Sequence, residues 1–294
     1  MIYGSGMTLE DIRDTDKDEY WETLRQRWGA LMSYRYIGRQ FSSMNKVDDD
    51  TVTLRHDMRN AAGGILSQIF SISAPGGGGP SDLEVVPNPV IHSVQILDNG
   101  NDVQRIEVVN SGALKVGTRM YFGRATIVDA DNHDRLLALI EGQGASIGDV
   151  PPHIERDQLF EDDPIEHVED SPDLPPIWQV FGGTKRDDGH WSLGELKAEF
   201  ASPDAALHVG PQFVIHETAA IDLAAELAGT DQLQPESDHF MFLARGKVGP
   251  FRVDGTAGRG ADGSGRVGVQ LTLHDEGNGD RAISAATLMF RVAG

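Results

Sequence analysis

Residues 208–229 read HVGPQFVIHETAAIDLAAELAG. Val214, Ile215, Ala219, Leu223, Ala224 and Leu227 recur at helical spacing, and Ala219, Ala220, Ala224, Ala225 and Ala228 keep helix propensity high. The stretch predicts a long buried helix, stopped by Gly229, because glycine takes a left-handed C-terminal cap without a Cβ penalty. Gly210, at the other end, lets a second backbone come close. Glu217 interrupts the apolar stripe. A carboxylate in that position is either an innocuous partner of the helix dipole or a working group.

Upstream, residues 1–46 form a polar extension with a helix expected from Asp18 to Tyr36. Its apolar side carries Trp21, Leu24, Trp28, Leu31 and Met32, a face suited to lie over a sheet. Alternation from Thr51 to Met58 predicts a strand. Asn60-Ala61-Ala62-Gly63-Gly64 then opens a short helix, Ile65 to Ala74, closed by Pro75-Gly76-Gly77-Gly78-Gly79-Pro80. Further strands are expected over Val85 to Leu97, Val103 to Asn110, Thr118 to Asp129 and Arg135 to Ser146. Residues 149–189 are acidic and Pro-rich and read as a solvated linker.

The chain repeats itself. Asp129-x-x-Asn132-x-Asp134-Arg135 recurs as Asp275-x-x-Asn278-x-Asp280-Arg281, and the same displacement brings Gly64 onto Gly210, Gly112 onto Gly258, Gly117 onto Gly263 and Thr126 onto Thr272. Asp, Asn and Gly are ordinary hairpin residues, and Asp129, Asp134, Asp275 and Asp280 are read as such. A constant displacement across all of them implies duplication of a strand, helix, four-strand unit. The units are placed at 47–148 and 190–294.

Composition excludes several functions. Asp and Glu number 46 against 25 Lys and Arg, a balance that repels polyanions and makes nucleic acid an unsuitable partner. The chain has no Cys, hence no disulfide, thiolate metal site or cysteine nucleophile. His153 and His167 match no metal-ligand spacing, so no metal is expected. No apolar run is long enough to span a membrane, and MIYGSGMTLEDIRDTDKDEYW lacks the order of a signal peptide, so a cytoplasmic protein is expected.

His208, Gly210 and Glu217, followed by Ala219 and Ala220, resemble the His-Gly-Gly…Asp/Glu-x-Ala motif of the hotdog-fold acyl-CoA thioesterases of the PaaI type. Val209 stands at the middle glycine. Phe242-Leu243-Ala244-Arg245-Gly246-Lys247-Val248-Gly249-Pro250-Phe251 and the terminal Met289-Phe290-Arg291-Val292 are similar to that family as well. The resemblance implies an α+β fold of two tandem hotdog units, each a helix wrapped by an antiparallel sheet, forming a pseudo-dimer within one chain. It also implies sites built across the interface between units.

By the internal displacement, Ser71 occupies the place of Glu217 and Ala62 that of His208, so one competent and one degenerate site are expected. On the resemblance, Glu217 is general base or nucleophile toward an acyl-CoA or acyl-carrier thioester, and the Gly63 N–H is the oxyanion donor. Asn60 orients or caps, and His208 orients the turn and faces Ser71. Arg245, Lys247, Arg252 and Arg259 are candidates for the CoA phosphates, or else solvated strand-edge residues. No cofactor is implied beyond the CoA of the substrate, and pairing of two chains through sheet edges stays open. Two alternatives remain. One is a non-catalytic acyl-CoA or lipid-binding module. The other is an enoyl-CoA hydratase, whose Asp-x-Asn-Pro-x-His signature Val86-Pro87-Asn88-Pro89-Val90-Ile91-His92 matches incompletely.

Overall fold

The computed structural model describes residues 9–39, 51–76, 86–147, 168–261 and 263–293. Helices α1 (Tyr20–Gly29) and α2 (Met32–Tyr36) precede strand β1 (Thr51–Thr53), helix α3 (Ser67–Ser73) and strands β2 (Val86–Ile96), β3 (Arg105–Val116), β4 (Met120–Asp129) and β5 (Asn132–Ile147). Next come α4 (Ile177–Val180), β6 (Gly183–Lys185), β7 (Trp191–Leu193), β8 (Ala201–Ser202) and β9 (Ala206–Leu207). The chain ends with α5 (Val209–Ala228), β10 (Leu233–Phe242), β11 (Phe251–Arg259), β12 (Arg266–Asp275) and β13 (Arg281–Val292).

Eleven of these strands make one sheet in the order β1-β3-β4-β5-β2-β10-β13-β12-β11-β7-β6. The two halves meet where β2 pairs antiparallel with β10, in a register that sets Ser93 opposite His239. Those two residues are 146 positions apart, and the Ser93 Oγ lies 2.8 Å from His239 Nδ1. The displacement read from the glycine and hairpin repeats is therefore the one that a local two-fold axis through this pair requires. It carries β4 onto β12 end to end, and β2, β3 and β5 onto β10, β11 and β13. The architecture is the α+β double hotdog.

Helix α5 is the organising element. Every residue from Val209 to Ala220 is buried. Inward-facing Val267, Val269, Leu271 and Leu273 alternate along β12 and supply a floor for it, as the two-residue period of a strand demands. Gly229 closes the helix at φ 74°, its N–H donating to the Ala225 carbonyl at 2.8 Å. Helix α3 is the degenerate counterpart, ended by Pro75 and Gly76 after seven residues, all buried.

Three expectations change. The helix expected from Asp18 to Tyr36 is divided, because Leu31 is extended (φ −60°, ψ 120°) and turns inward to near-complete burial. The Trp21 side chain lies outside the described residues. The strand expected to Met58 ends at Thr53. Beyond it the Arg55 guanidinium holds Asp57 and stacks 4.7 Å over the Tyr36 ring, which favours a turn over further pairing. The linker expected at 149–189 falls outside the described residues up to 167. From Ile177 onward it is structure, since buried Ile177 and Phe181 anchor α4, and β6 pairs with β7 at the sheet edge. Among the described residues no helix is long and apolar enough to cross a membrane.

Gly210 ties the N-terminal extension to α5. A Cβ there would come within 2.7 Å of Ser33 Cβ and closer still to its hydroxyl. Gly210→Ala is expected to cost about 1–3 kcal/mol in chemical denaturation, as overpacking does. Adding Ser33→Gly should recover part of it; additive losses would show that the two do not share the space.

Candidate active site

A cavity of about 630 Å³ opens between the two units. Its walls come from the His56–Gln68 turn of the first unit, residues 172–178, Trp191, the exposed face of α5, and Leu233, Pro235 and Phe290 of the central strands. Most of this lining is apolar. Trp178 and Trp191 meet edge to face at 5.1 Å and form one side.

Glu217 also lines the cavity, yet its side chain is almost wholly buried. Its position follows from an unmet need in α3. The residue before that helix, Leu66, is extended and has no side chain that could cap the first amides. Glu217 does so from the other unit: Oε1 accepts the Ser67 N–H at 2.9 Å and Oε2 the Gln68 N–H at 2.7 Å. Burial among apolar groups penalises the carboxylate, and the two amides favour it. Burial prevails and pushes Glu217 up to about 7. Asp238 on β10 is also fully buried, and burial followed by the charge of Glu217 raises it well above the ordinary carboxylate range.

The other sequence-predicted residues are dispersed. Asn60 lines the cavity, with its Oδ1 held by the Gly64 N–H at 3.0 Å. Gly63, at φ 82°, instead donates its N–H to the Asn60 carbonyl at 2.9 Å. The turn closes on itself before α3 begins, so the amides that reach the acid are those of Ser67 and Gln68. His208 caps α5, accepting from the Gly210 N–H at 3.3 Å, and lies 3.1 Å from Ser33 Oγ and edge to face with Tyr34. Burial pushes its imidazole down to about 3, and it does not line the cavity. It does not face Ser71, whose hydroxyl lies 3.1 Å from His92 Nε2.

None of the four basic candidates lines the cavity. Arg245 is bonded to Asp204, Ser202 and Asn88, Lys247 to the Asp204 carbonyl, and Arg252 to Asp254, Glu276 and Asp280, while Arg259 donates to the Leu227 carbonyl. Carboxylates hold Arg245 and Arg252, and backbone carbonyls hold Lys247 and Arg259, so each cation has a local partner away from the cavity. Asp275 does more than turn a hairpin: its carboxylate collects the N–H groups of Lys247, Val248 and Gly249. Among the described residues no His and carboxylate cluster could hold a metal.

Gln68, Asp238, Trp178 and Trp191 were not singled out by the sequence. The internal repeat held a signal for Asp238, because the displacement places it at the position of His92, the partner of Ser71. Trp178 was hidden inside a stretch whose proline and acid content indicates a linker.

No protein-family model matches the sequence, and no curated protein matches it significantly. Solved structures do. Acyl-CoA thioesterase II TesB2 from Mycobacterium marinum aligns with a TM-score of 0.53 at 12% identity, over 86% of this chain and 98% of that one. The tesB protein of Mycobacterium avium subs paratuberculosis aligns at 0.52 and 13% identity, over 86% and 97%. The likeness spans both units and agrees with the double-hotdog assignment.

The buried acid has a pH signature. A carboxyl with a raised folded-state value prefers its proton in the fold, so its contribution is present below the unfolded value and is lost as pH rises. For Glu217 that window runs from about 4.5 to about 7. Stability of the unaltered protein relative to Glu217→Gln should therefore fall by on the order of 2–3 kcal/mol across this window. Parallel urea-midpoint curves for the two proteins would contradict it.

Proposed function

We propose that this chain hydrolyses an acyl thioester, with Glu217 as general base. The observation that carries the reading is a single one: a carboxyl pushed up to about 7 at the foot of an apolar cavity between the two hotdog units. The thioester carbonyl is activated already, so the site must hold water against it and shelter the tetrahedral intermediate. Ionised Glu217 removes a proton from that water, the carbonyl carbon is attacked, and the C–S bond breaks to release a thiol that recovers the proton.

Both Glu217 oxygens already accept backbone hydrogen bonds, which lowers their nucleophilicity and favours general base over covalent catalysis. With the Gly63 amide engaged in its turn, the Gln68 side chain, which lines the cavity beside the acid, is assigned the role of donor to the developing oxyanion. Trp178, Trp191, Ile221 and Phe290 would receive the acyl group. The acyl-CoA thioesterase II of similar fold supports the choice of reaction, and its name points to acyl-CoA as the carrier to try first. The cavity argues for little dependence on the CoA phosphates. Its acidic lining residues include Asp57, Asp222 and Asp231, and its Arg59 donates to the backbone carbonyls of Gly63, Gly100, Asn101 and Val103.

The engaged Gly63 amide also favours a second reading, a binding module without turnover. Thiol release separates the two, measured from a panel of short, long and aromatic acyl-CoAs beside the matching N-acetylcysteamine thioesters. Turnover is expected, with Glu217→Gln slower by about 10²–10⁴-fold. Binding of the panel without thiol release from either protein would establish the binding module instead. Among active substrates, removal of the nucleotide should change kcat/KM by less than about tenfold, a loss under 1.4 kcal/mol; a larger loss would locate phosphate recognition at this site.

A further inference from the structure

Glu217 is not the only buried acid of the second unit. Asp238 sits on β10 with Val94 and Leu288 as its cross-strand neighbours, and it faces the helices while the adjacent His239 faces out. It is 2% exposed, and neither carboxyl oxygen has a hydrogen-bond partner among the described residues. Glu217 from α5 and the Ser67 hydroxyl from α3 act on it, and among the described residues no cation compensates it. An isolated carboxylate so placed would be strongly disfavoured.

In the other half of the molecule the corresponding two positions are in contact. The displacement of 146 that relates Ser93 to His239 takes Ser71 onto Glu217 and His92 onto Asp238. Ser71 and His92 touch, Oγ to Nε2, at 3.1 Å in a fully buried environment. Where the degenerate half has a neutral hydroxyl–imidazole pair, the cavity half has two carboxyls. Two negative charges cannot both be accommodated there without a counterion.

We propose that Asp238 is a positioning residue for Glu217: it keeps its proton while Glu217 ionises, so that the pair works with one negative charge and the base stays fixed on the Ser67 and Gln68 amides. This rests on the thioesterase reading only for its catalytic meaning. The shared charge is a property of the folded chain and is measurable without substrate. When Glu217 takes the proton of the attacking water both acids are neutral, and return of that proton to the leaving thiol restores the single charge. Loss of the second proton at high pH would set two charges side by side and draw Glu217 off its amides.

The test is an infrared titration of carboxyl C=O bands on the full chain, for the unaltered protein, Asp238→Asn and Glu217→Gln. A protonated carboxyl is expected to persist at pH 8 in the unaltered protein and to vanish in Asp238→Asn. In Glu217→Gln the remaining band should titrate at lower pH, since the neighbouring charge is gone. The proposal is overturned by absence of a protonated carboxyl at pH 8, by a band that survives Asp238→Asn, or by an unshifted titration in Glu217→Gln. If Asp238→Asn does not fold, the first and third outcomes decide. Where turnover is measurable, the alkaline limb of the kcat profile should disappear in Asp238→Asn, a change that a packing role would not produce. The expected bands without any thiol release would sustain the pair and refute the thioesterase reading, whereas thiol release without the bands would do the reverse.

Discussion

A carboxylate from one unit closing the first turn of a helix in the other is the interaction on which this structure depends. Helix α3 is short and buried, has no capping side chain of its own, and begins where the cavity ends. Two of its amides would be left unsatisfied in an apolar setting without Glu217, each a loss comparable to a missing hydrogen bond. The same contact joins α5 to α3 beside the β2–β10 seam and leaves a carboxyl at the floor of the space between the units. On the proposed reading assembly and chemistry share one group, which limits what can replace it. A glutamine keeps the length but sets an amide NH₂ against a backbone N–H.

The duplicated units differ at the two buried positions. At the place of Glu217 and Asp238 the first unit has Ser71 and His92, a pair that is neutral, mutually bonded and compatible with burial. Burial pushes His92 down to about 3, so the pair carries no charge at neutral pH. The second unit has two acids there, which burial penalises when they ionise. Such an expense is intelligible where the group has work to do, since functional sites are where local rules of burial are broken.

Much of the fold was legible in the residues. The helical period over 208–229 located α5, and its glycine stop is at the residue expected. The repeated Asp, Asn and Gly positions carried the duplication at a displacement that the β2–β10 register reproduces. The candidate site was legible in part. Glu217 stands out because an acid interrupts an apolar stripe, but the partner it selects depends on where α3 starts, three residues after the glycine turn. That offset decides whether Gly63 or Ser67 and Gln68 offer their amides, and no local pattern encodes it. Trp178 illustrates a different loss: proline and acid content around it signal a linker, while the burial of neighbouring Ile177 and Phe181 that folds it onto the cavity is a tertiary effect. The basic residues near the second motif look available in sequence and are paired in space, because only the fold brings Asp204, Glu276 and Asp280 beside them.

The most direct measurement is a crystal structure with a non-hydrolysable thioester analogue, such as a ketone in which CH₂ replaces the sulfur. The analogue is expected in the cavity between the units, its carbonyl carbon within reach of a water held by Glu217, its oxygen near the Gln68 side chain, and its acyl chain against Trp178 and Trp191. An analogue bound elsewhere, or one seated with its carbonyl remote from Glu217, would contradict the proposed reading.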